Sequence, residues 1–322
     1  MVSLDELLSL RLGMLVAFPE CRTDERAIAH PRERLAGFLA GAEAVDVLRT
    51  GDRARAAVVF GAPISGMLGM PTRPGGVLCV PEDREAQEWA AEKLVEARDR
   101  LDSSFVTILS SSLPQVLASV EGRGFRVQAL LLHGNPQVAF DRLGGDRELG
   151  ARECRLRDDH GLEASRLRTA EQIERLVELR RAFFTSNPQV SPINTAWSID
   201  EELQSQIDAF VRRTLQNGAR EDAATQFVVS RSEEVVGGFG VVQYEDSPLW
   251  GRCAGVEVFL TPAVQGRGLG VLLYLVLLRR MLELGVRTFH GTTANPAVVH
   301  LSRKMGRSLR GWKVVRGHYD ER

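Results

Sequence analysis

The sequence predicts a mixed α/β protein of two similar domains, each a mostly antiparallel mixed sheet flanked by helices. Three observations lead to this prediction. The chain has 322 residues, which is more than one hydrophobic core usually serves. Short apolar runs typical of strands alternate with longer segments whose apolar residues recur at helical spacing. The order of these elements in the first half is repeated in the second half.

The composition gives no indication of nucleic acid or a membrane as a partner. The formal net charge is −1, with 44% hydrophobic and 26% charged residues, so no strong field attracts a polyanion. The four cysteines lie far apart without a nearby histidine at ligand spacing, and we therefore predict no metal site and no disulfide framework. Neither a signal peptide nor an apolar run of transmembrane length is recognisable, which favours a cytoplasmic location.

The first domain, residues 1–145, begins with two helices. Ser3 and Glu6 have capping-box spacing at the start of the first helix, and Pro31 is expected at an early position of the second. The following elements are predicted as strands at 54–60 and 76–80, a helix at 84–101, a strand at 105–109, a helix at 113–121 and a strand at 126–132. The polar sequence that comes next predicts a linker over 146–162.

The second domain, residues 163–322, begins with a strand at 164–167. Thr169 with Gln172 and Ser198 with Glu201 have capping-box spacing, and each pair opens a helix. The elements after them are strands at 226–230, 235–244 and 253–260, a glycine loop, a helix at 271–284, a strand at 288–292, a helix at 297–305 and a strand at 312–315.

The glycine loop, VQGRGLG at 264–270, has the features of a phosphate cradle. A dinucleotide fingerprint would place the third glycine one residue later, and a P-loop would need a lysine, so neither motif fits. Glycines at a helix start leave backbone N–H groups bare, and the helix dipole adds about half a positive charge there, which suits a diphosphate. A tight strand–helix turn without a ligand is the alternative that the loop alone leaves open.

Together with NPAVVHLSRKMG at 295–306, the loop and its helix resemble the C-terminal half of a GNAT-superfamily acyltransferase. The resemblance covers roughly residues 164–319. It implies a mixed α/β fold that binds acetyl-CoA or another acyl-CoA, with the pantetheine arm between two splayed parallel strands. The resemblance assigns the CoA diphosphate to Gln265, Gly266, Arg267, Gly268, Leu269 and Gly270.

Further cofactor contacts are implied by the same resemblance. Val258 and Leu260 would offer backbone groups to the pantetheine arm and the thioester oxygen. Asn295 would hydrogen-bond the pantetheine arm, although it also fits a helix N-cap before Pro296.

The chain departs from the family pattern at two positions. Ser302 stands where the family often has a tyrosine that protonates the leaving thiolate, and Arg307 stands where an aromatic residue often follows the glycine. A serine hydroxyl is a far weaker acid, so Ser302 would act through water, or the thiolate would leave unassisted. Ser302 is retained as a candidate catalytic residue.

Glu257 is the candidate general base. It lies in an apolar strand, where burial of a carboxylate tends to raise its pKa, and a solvated strand face is the alternative. It is one residue away from the family's commonest glutamate register. His290 and His300 are secondary candidates.

The first domain reads as a degenerate copy of the second. The stretch 76–81 parallels 255–262, but Gln87 and Trp89 stand where the second copy has Gly268 and Gly270. We therefore expect a structural role for the first domain, without the usual CoA site. Because little sequence remains after residue 306, we expect the first domain or another subunit to cover the edge of the sheet.

The sequence thus predicts an acetyl-CoA-dependent N-acetyltransferase in which an amine of a small molecule or peptide attacks the thioester directly. Acceptor contacts are expected from the loop 185–197 and the connection 244–252, with Tyr244, Trp250 and Arg252 as candidates. Two alternatives stay open: an inactive acyl-CoA-binding sensor or partner-binding module, and other acyl-CoA chemistry such as malonyl-CoA decarboxylation or O-acyl transfer. The pattern leaves the oligomeric state open.

Overall fold

The computed structural model describes residues 3–16, 18, 25–62, 72–100, 104–185, 201–220, 225–247 and 250–316. The chain forms two compact units. The N-terminal unit comprises Met1–Leu131, Ser247–Trp250 and Leu309–Arg322, and the C-terminal unit comprises Leu132–Asp246 and Gly251–Ser308. Both units contain helices and strands, so the predicted mixed α/β class and the organisation in two parts are confirmed.

The N-terminal unit contains both antiparallel and parallel strand pairs. Its elements are α1 (Leu4–Val16), α2 (Glu25–Ala40), β1 (Ala42–Thr50), β2 (Arg53–Gly61), β3 (Thr72–Cys79), α3 (Arg84–Arg100), β4 (Ser104–Ser110), α4 (Pro114–Glu121), most of β5 (Arg126–Gly134) and β11 (Ser308–Arg316). The strands β1, β2 and β3 pair antiparallel, and β3 is joined to the parallel strand β4 through α3.

The strand β11 pairs antiparallel with β4, from Gly311 opposite Ser110 to Arg316 opposite Phe105. This pairing lies within the N-terminal unit, to which the residues from Leu309 onward belong.

Local sequence signals explain several helix starts. The backbone N–H of Glu6 donates to Ser3 Oγ at 3.2 Å and the N–H of Ser3 donates to Glu6 Oε2 at 2.9 Å, as a capping box requires. Thr169 and Gln172 make the same reciprocal bonds before α7. Pro31, by contrast, lies inside α2, because that helix already begins at Glu25.

The C-terminal unit repeats the strand–helix–strand order. Its elements are α5 (Pro136–Arg142), α6 (Gly145–His160), β6 (Leu162–Arg166), α7 (Ala170–Thr185), α8 (Glu201–Ala219), β7 (Gln226–Arg231), β8 (Glu234–Ser247), β9 (Gly251–Leu260), α9 (Leu269–Glu283), β10 (Thr288–Thr293) and α10 (Pro296–Lys304). Its strand order is β6-β7-β8-β9-β10, and β9 is joined to the parallel strand β10 through α9.

The predicted linker over 146–162 is wrong, because most of it is the helix α6. Leu149 and Leu156, seven residues apart and therefore on one face, are buried in the same core as α9. The helix ends at Gly161, whose φ of +59° is typical of a glycine C-cap. The sequence of α6 is polar because the rest of its surface is largely exposed, and the compact units divide earlier, between Leu131 and Leu132.

Candidate active site

The glycine loop connects β9 to α9 at the carboxyl end of β9. Val264 and Leu269 are buried at 0% and 2% exposure, whereas the residues between them are exposed. Gly266 and Gly268 have φ values of +78° and +76°, a region that residues with a Cβ rarely adopt. The loop is therefore an exposed backbone arch held at both ends by the core.

The first turn of α9 is free of competing side-chain acceptors. Its N-cap, Gly268, provides no side-chain hydrogen bond, and the described first turn contains no acidic residue. A Cβ on Gly266 would meet nothing within 4 Å, so the space beside the loop is open. Bare N–H groups and the positive end of the helix dipole make this an anion-binding geometry.

Two loop residues have structural tasks of their own. Gln265 Nε2 donates to the carbonyl oxygen of Leu260 at 2.9 Å, which ties the loop back to the end of β9. A Cβ on Gly270 would lie 3.4 Å from Leu301 Cδ2, so this glycine lets α9 and α10 approach closely. The backbone N–H of Gln265 donates to the carbonyl oxygen of Pro262 at 3.3 Å, so Gln265 closes the turn at the start of the loop.

The strands β9 and β10 pair in parallel and then separate. Their register runs from Thr288 opposite Cys253 to His290 opposite Gly255, and no further pair follows among the described residues. The end of β9 that contains Val258 and Leu260 therefore has no ladder partner in β10.

Asn295 follows β10 directly. It is exposed, and its Oδ1 accepts from the N–H of Ala297 at 2.9 Å as the N-cap of α10. The helix-capping alternative for this residue is therefore confirmed.

Glu257 is ion-paired instead of standing alone among apolar residues. Its Oε1 lies 2.8 Å from Nη2 of Arg180 on α7, and the two side chains are 22% and 18% exposed. Val256 and Val258 pack against the α9 core, so the alternation of a strand directs Glu257 to the opposite face, toward α7. The apolar residues on either side of Glu257 in the sequence do not indicate this ion pair.

His290 lies on the same sheet face as Glu257. In a parallel ladder, paired residues point to the same side, and His290 is paired with Gly255, two residues before Glu257. The His290 ring stacks on His133, with centroids 5.3 Å apart. His300, by contrast, is exposed on α10. The structure therefore groups Glu257 and His290 at the point where the strands separate.

Ser302 is directed into the interior of the unit. It is 1% exposed, and its hydroxyl oxygen accepts from Arg307 Nη1 at 3.2 Å. Arg307 also donates through Nη2 to the carbonyl oxygen of Leu132 at 2.7 Å. This burial and this hydrogen bond favour a structural role for Ser302, and its catalytic role stays a prediction.

Residues 175–306 match the family model described as the acetyltransferase (GNAT) family. This segment is a GNAT domain. It begins within α7 and ends after α10, so the glycine loop, the separating strands and Glu257 all lie inside it, whereas α5 and α6 precede it. No curated protein sequence matches the chain significantly.

Several solved structures resemble the chain at low identity. A tandem GNAT protein from the clavulanic acid biosynthesis pathway is 17% identical, with 97% of this chain and 94% of that chain covered and a TM-score of 0.43. A GCN5-related N-acetyltransferase from Sphaerobacter thermophilus is 12% identical, with coverages of 89% and 84% and a TM-score of 0.49. A GNAT acetyltransferase from Colwellia psychrerythraea is 11% identical, with coverages of 98% and 97% and a TM-score of 0.47. Likenesses at this level carry no argument about substrate.

The acceptor candidates of the GNAT domain are dispersed. Arg252 is anchored, since its Nε donates to Asp246 Oδ1 at 2.9 Å and its Nη1 donates to the carbonyl oxygen of Leu284 at 2.9 Å. Trp250 is grouped with the N-terminal unit, where the guanidinium of Arg310 lies 5.3 Å from its ring centroid. The side chain of Tyr244 and the loop 186–200 lie outside the described residues.

The corresponding corner of the N-terminal unit is filled, but Gln87 lies inside α3, which begins at Arg84, and not at the helix start that Gly268 occupies in α9. Gln87 is 2% exposed, donates through Nε2 to the carbonyl oxygen of Pro81 at 2.6 Å, and accepts from the N–H of Gln115 at 3.2 Å. Asp83 Oδ1 accepts from the N–H of Ala86 at the start of α3. A carboxylate thus caps α3 at the place where the GNAT domain has an uncapped glycine.

The described residues contain no group of three or more His, Cys, Asp or Glu side chains arranged to hold a metal ion. Over the same ranges, no helix is both long and apolar enough to cross a bilayer.

Proposed function

We propose that the GNAT domain is a CoA-dependent N-acyltransferase, in its simplest form an N-acetyltransferase, that acts on an amine of a small molecule or peptide. The observation that carries this proposal is the open glycine turn at the uncapped start of α9, beside two parallel strands that separate. A bound acyl-CoA would supply an activated thioester.

The chain's own groups fit such a co-substrate. The loop offers backbone N–H groups after Gln265, and two left-handed glycines keep Cβ atoms out of the arch. The end of β9 beyond its pairing with β10, with Val258 and Leu260, is the edge along which an extended arm would lie. Asn295 uses its carbonyl oxygen at the helix cap, so its exposed amide NH2 is the group directed to a ligand.

Glu257 is the proton acceptor in this proposal. A carboxylate at the separation point of the strands would take a proton from the ammonium group of the acceptor, directly or through one water. The free amine would then attack the thioester carbonyl, and CoA would leave as its thiolate as the amide bond forms. Arg180 holds the carboxylate in place through their ion pair. His290 lies on the same sheet face and is the second candidate for this task.

Thermal stabilisation by acetyl-CoA tests the binding half of the proposal. A ligand at 100 times its Kd stabilises the native state by about 2.7 kcal/mol, which raises Tm by several degrees. Gly268→Trp should abolish the shift because the side chain fills the arch. Gly285→Trp is the matched control: Gly285 is also exposed, has a φ of +69°, and lies at the opposite end of the same helix.

Wild-type protein whose Tm does not rise at millimolar acetyl-CoA overturns the proposal. Release of free thiol with a panel of amines then tests transfer. Stabilisation by acetyl-CoA without thiol release on any amine would favour the acyl-CoA-binding module, a candidate supported by the burial of Ser302.

A further inference from the structure

We propose that Arg152 on α6, which precedes the matched GNAT segment, supplies a cation to the diphosphate subsite of the glycine loop. A Cβ built on Gly268 would lie 3.4 Å from Nη1 of Arg152. The guanidinium therefore stands beside the N-cap of α9, where the loop presents its bare N–H groups. This inference rests on the proposed CoA-binding function and adds a residue to that site.

The position of Arg152 is fixed by packing. Leu149 and Leu156 flank it on α6 and are 3% and 4% exposed in the same core as Leu269 and Leu272 of α9. Because α6 and α9 share this core, the arginine is held against the loop by rigid elements. Its side chain is 26% exposed, so it is largely shielded from solvent but still accessible.

The guanidinium of Arg152 presents different nitrogens to Glu148 and to the loop. Its Nε lies 2.7 Å from Oε1 of Glu148, one turn earlier on α6, which is an ion pair by distance. Its Nη1 is the nitrogen that stands beside Gly268. A planar guanidinium beside a helix N-terminus suits the paired oxygens of a phosphate.

Glu148 orients this cation without neutralising the loop. Its carboxylate is 27% exposed and lies on the far side of the guanidinium from Gly268, since it contacts Nε whereas Nη1 faces the loop. The subsite thus combines backbone N–H groups, a helix dipole and one positioned positive charge. Because Arg152 stands beside Gly268, its charge would attract the diphosphate of CoA and not the thioester at the other end of the molecule.

The test measures binding of CoA, dephospho-CoA and pantetheine by calorimetry. Arg152→Gln should weaken CoA and dephospho-CoA alike by at least about tenfold, since a hydrogen-bonded charge contributes about 1.5–3 kcal/mol. Pantetheine, which has no phosphate, should bind equally to both proteins. Arg152→Lys, which keeps the charge, should lose less affinity than Arg152→Gln.

Arg155→Gln is the matched control. Arg155 lies on the same helix, contacts the same oxygen of Glu148 at 3.4 Å, and is 59% exposed. Replacing Arg155 should change CoA affinity by less than about twofold, because an exposed ion pair typically contributes little free energy. Equal melting temperatures of the variants exclude unfolding as the cause.

The outcomes separate the two proposals. Wild-type protein that does not bind CoA overturns the proposed function, and the role of Arg152 with it. Wild-type protein that binds CoA while Arg152→Gln binds equally well overturns the Arg152 inference alone. A loss confined to CoA, with dephospho-CoA unchanged, overturns the assignment to the diphosphate, because those ligands differ by the 3′-phosphate.

Discussion

Arg307 Nη1 donates to the hydroxyl oxygen of Ser302 at 3.2 Å, so the two positions at which the chain departs from the GNAT pattern are in direct contact. Arg307 is 8% exposed, and its guanidinium carbon lies 4.8 Å from the centroid of the Phe289 ring. Burial lowers the pKa of Arg307, while the phenol of Tyr274 opposes that effect. The two departures are therefore one structural pair that joins the end of α10 to the core.

The first prediction concerns this pair. Arg307→Met should reduce the free energy of unfolding by about 2–4 kcal/mol, because the Leu132 carbonyl and the Ser302 hydroxyl lose their donor. Ser302→Ala should cost about 1 kcal/mol, and the double variant should show a coupling energy of about 0.5–3 kcal/mol in urea denaturation. The acyl-transfer rate of Ser302→Ala should stay within about threefold of wild type. A stable Ser302→Ala protein with a hundredfold slower transfer would restore its catalytic role.

The second prediction concerns Glu257. Glu257→Gln should lower kcat/KM by about 10²–10⁴ and remove the acidic limb of the pH–rate profile, because the amide cannot accept the proton. Glu234→Gln is the matched control, since Glu234 is also a strand carboxylate that pairs with an arginine of α7, Arg175, at 3.6 Å. Its kinetics should match wild type. An unchanged rate and pH profile for Glu257→Gln, together with a changed profile for His290→Gln, would transfer the role to His290.

The third prediction concerns acid stability of the N-terminal unit. Hydrogen bonds from Arg49 and from the Ser3 backbone lower the pKa of Glu6 from its ordinary value of 4.5 to about 2. A carboxyl group whose pKa is lower in the folded than in the unfolded protein stabilises the folded state at pH values above its unfolded pKa. For Glu6 this stabilisation is lost as the pH falls from 4.5 toward 2. Glu6→Gln should therefore flatten the dependence of the urea midpoint on pH in that window. Arg49→Gln, which removes the donor to Glu6, should flatten the same dependence.

The fourth prediction concerns the filled corner of the N-terminal unit. Gln87→Ala should lower the free energy of unfolding by about 1–3 kcal/mol, because the Gln115 N–H and the Pro81 carbonyl lose their partner. Acetyl-CoA affinity should not change, since the ligand is proposed to bind the GNAT domain. Gln137→Ala, which removes an exposed bond to Asp141, should be neutral in the same denaturation experiment. Weaker acetyl-CoA binding by Gln87→Ala would contradict a purely structural role for this corner.

Local rules were enough to predict the glycine loop. The tight turn between β9 and α9 requires a left-handed φ at Gly266 and Gly268. Glycine adopts this conformation readily, so the glycines in the sequence predict the turn directly. The capping boxes at Ser3 and Thr169 are local for the same reason. These features depend on residues within a few positions of one another.

Other features depend on the folded context. The strand β1 was not predicted, because its side chains are mostly half-exposed or exposed and show no apolar alternation. The sequence of α6 resembles a linker, because Leu149 and Leu156 form only a narrow apolar stripe in an otherwise polar segment. The contacts of Glu257 with Arg180 and of Arg152 with the loop join distant elements, and no sequence spacing encodes them.

The pairing of β11 with β4 has a consequence for synthesis of the chain. The hydroxyl of Ser111, just after β4, donates to the carbonyl oxygen of Leu309, 198 residues later. At about 5–20 residues per second, β11 leaves the ribosome roughly 10–40 seconds after β4. During that interval the N-terminal sheet has an unpaired strand edge, which is a site for nonspecific association. Nascent chains that stall before residue 308 should therefore need chaperone protection even though most of the N-terminal unit has already been made.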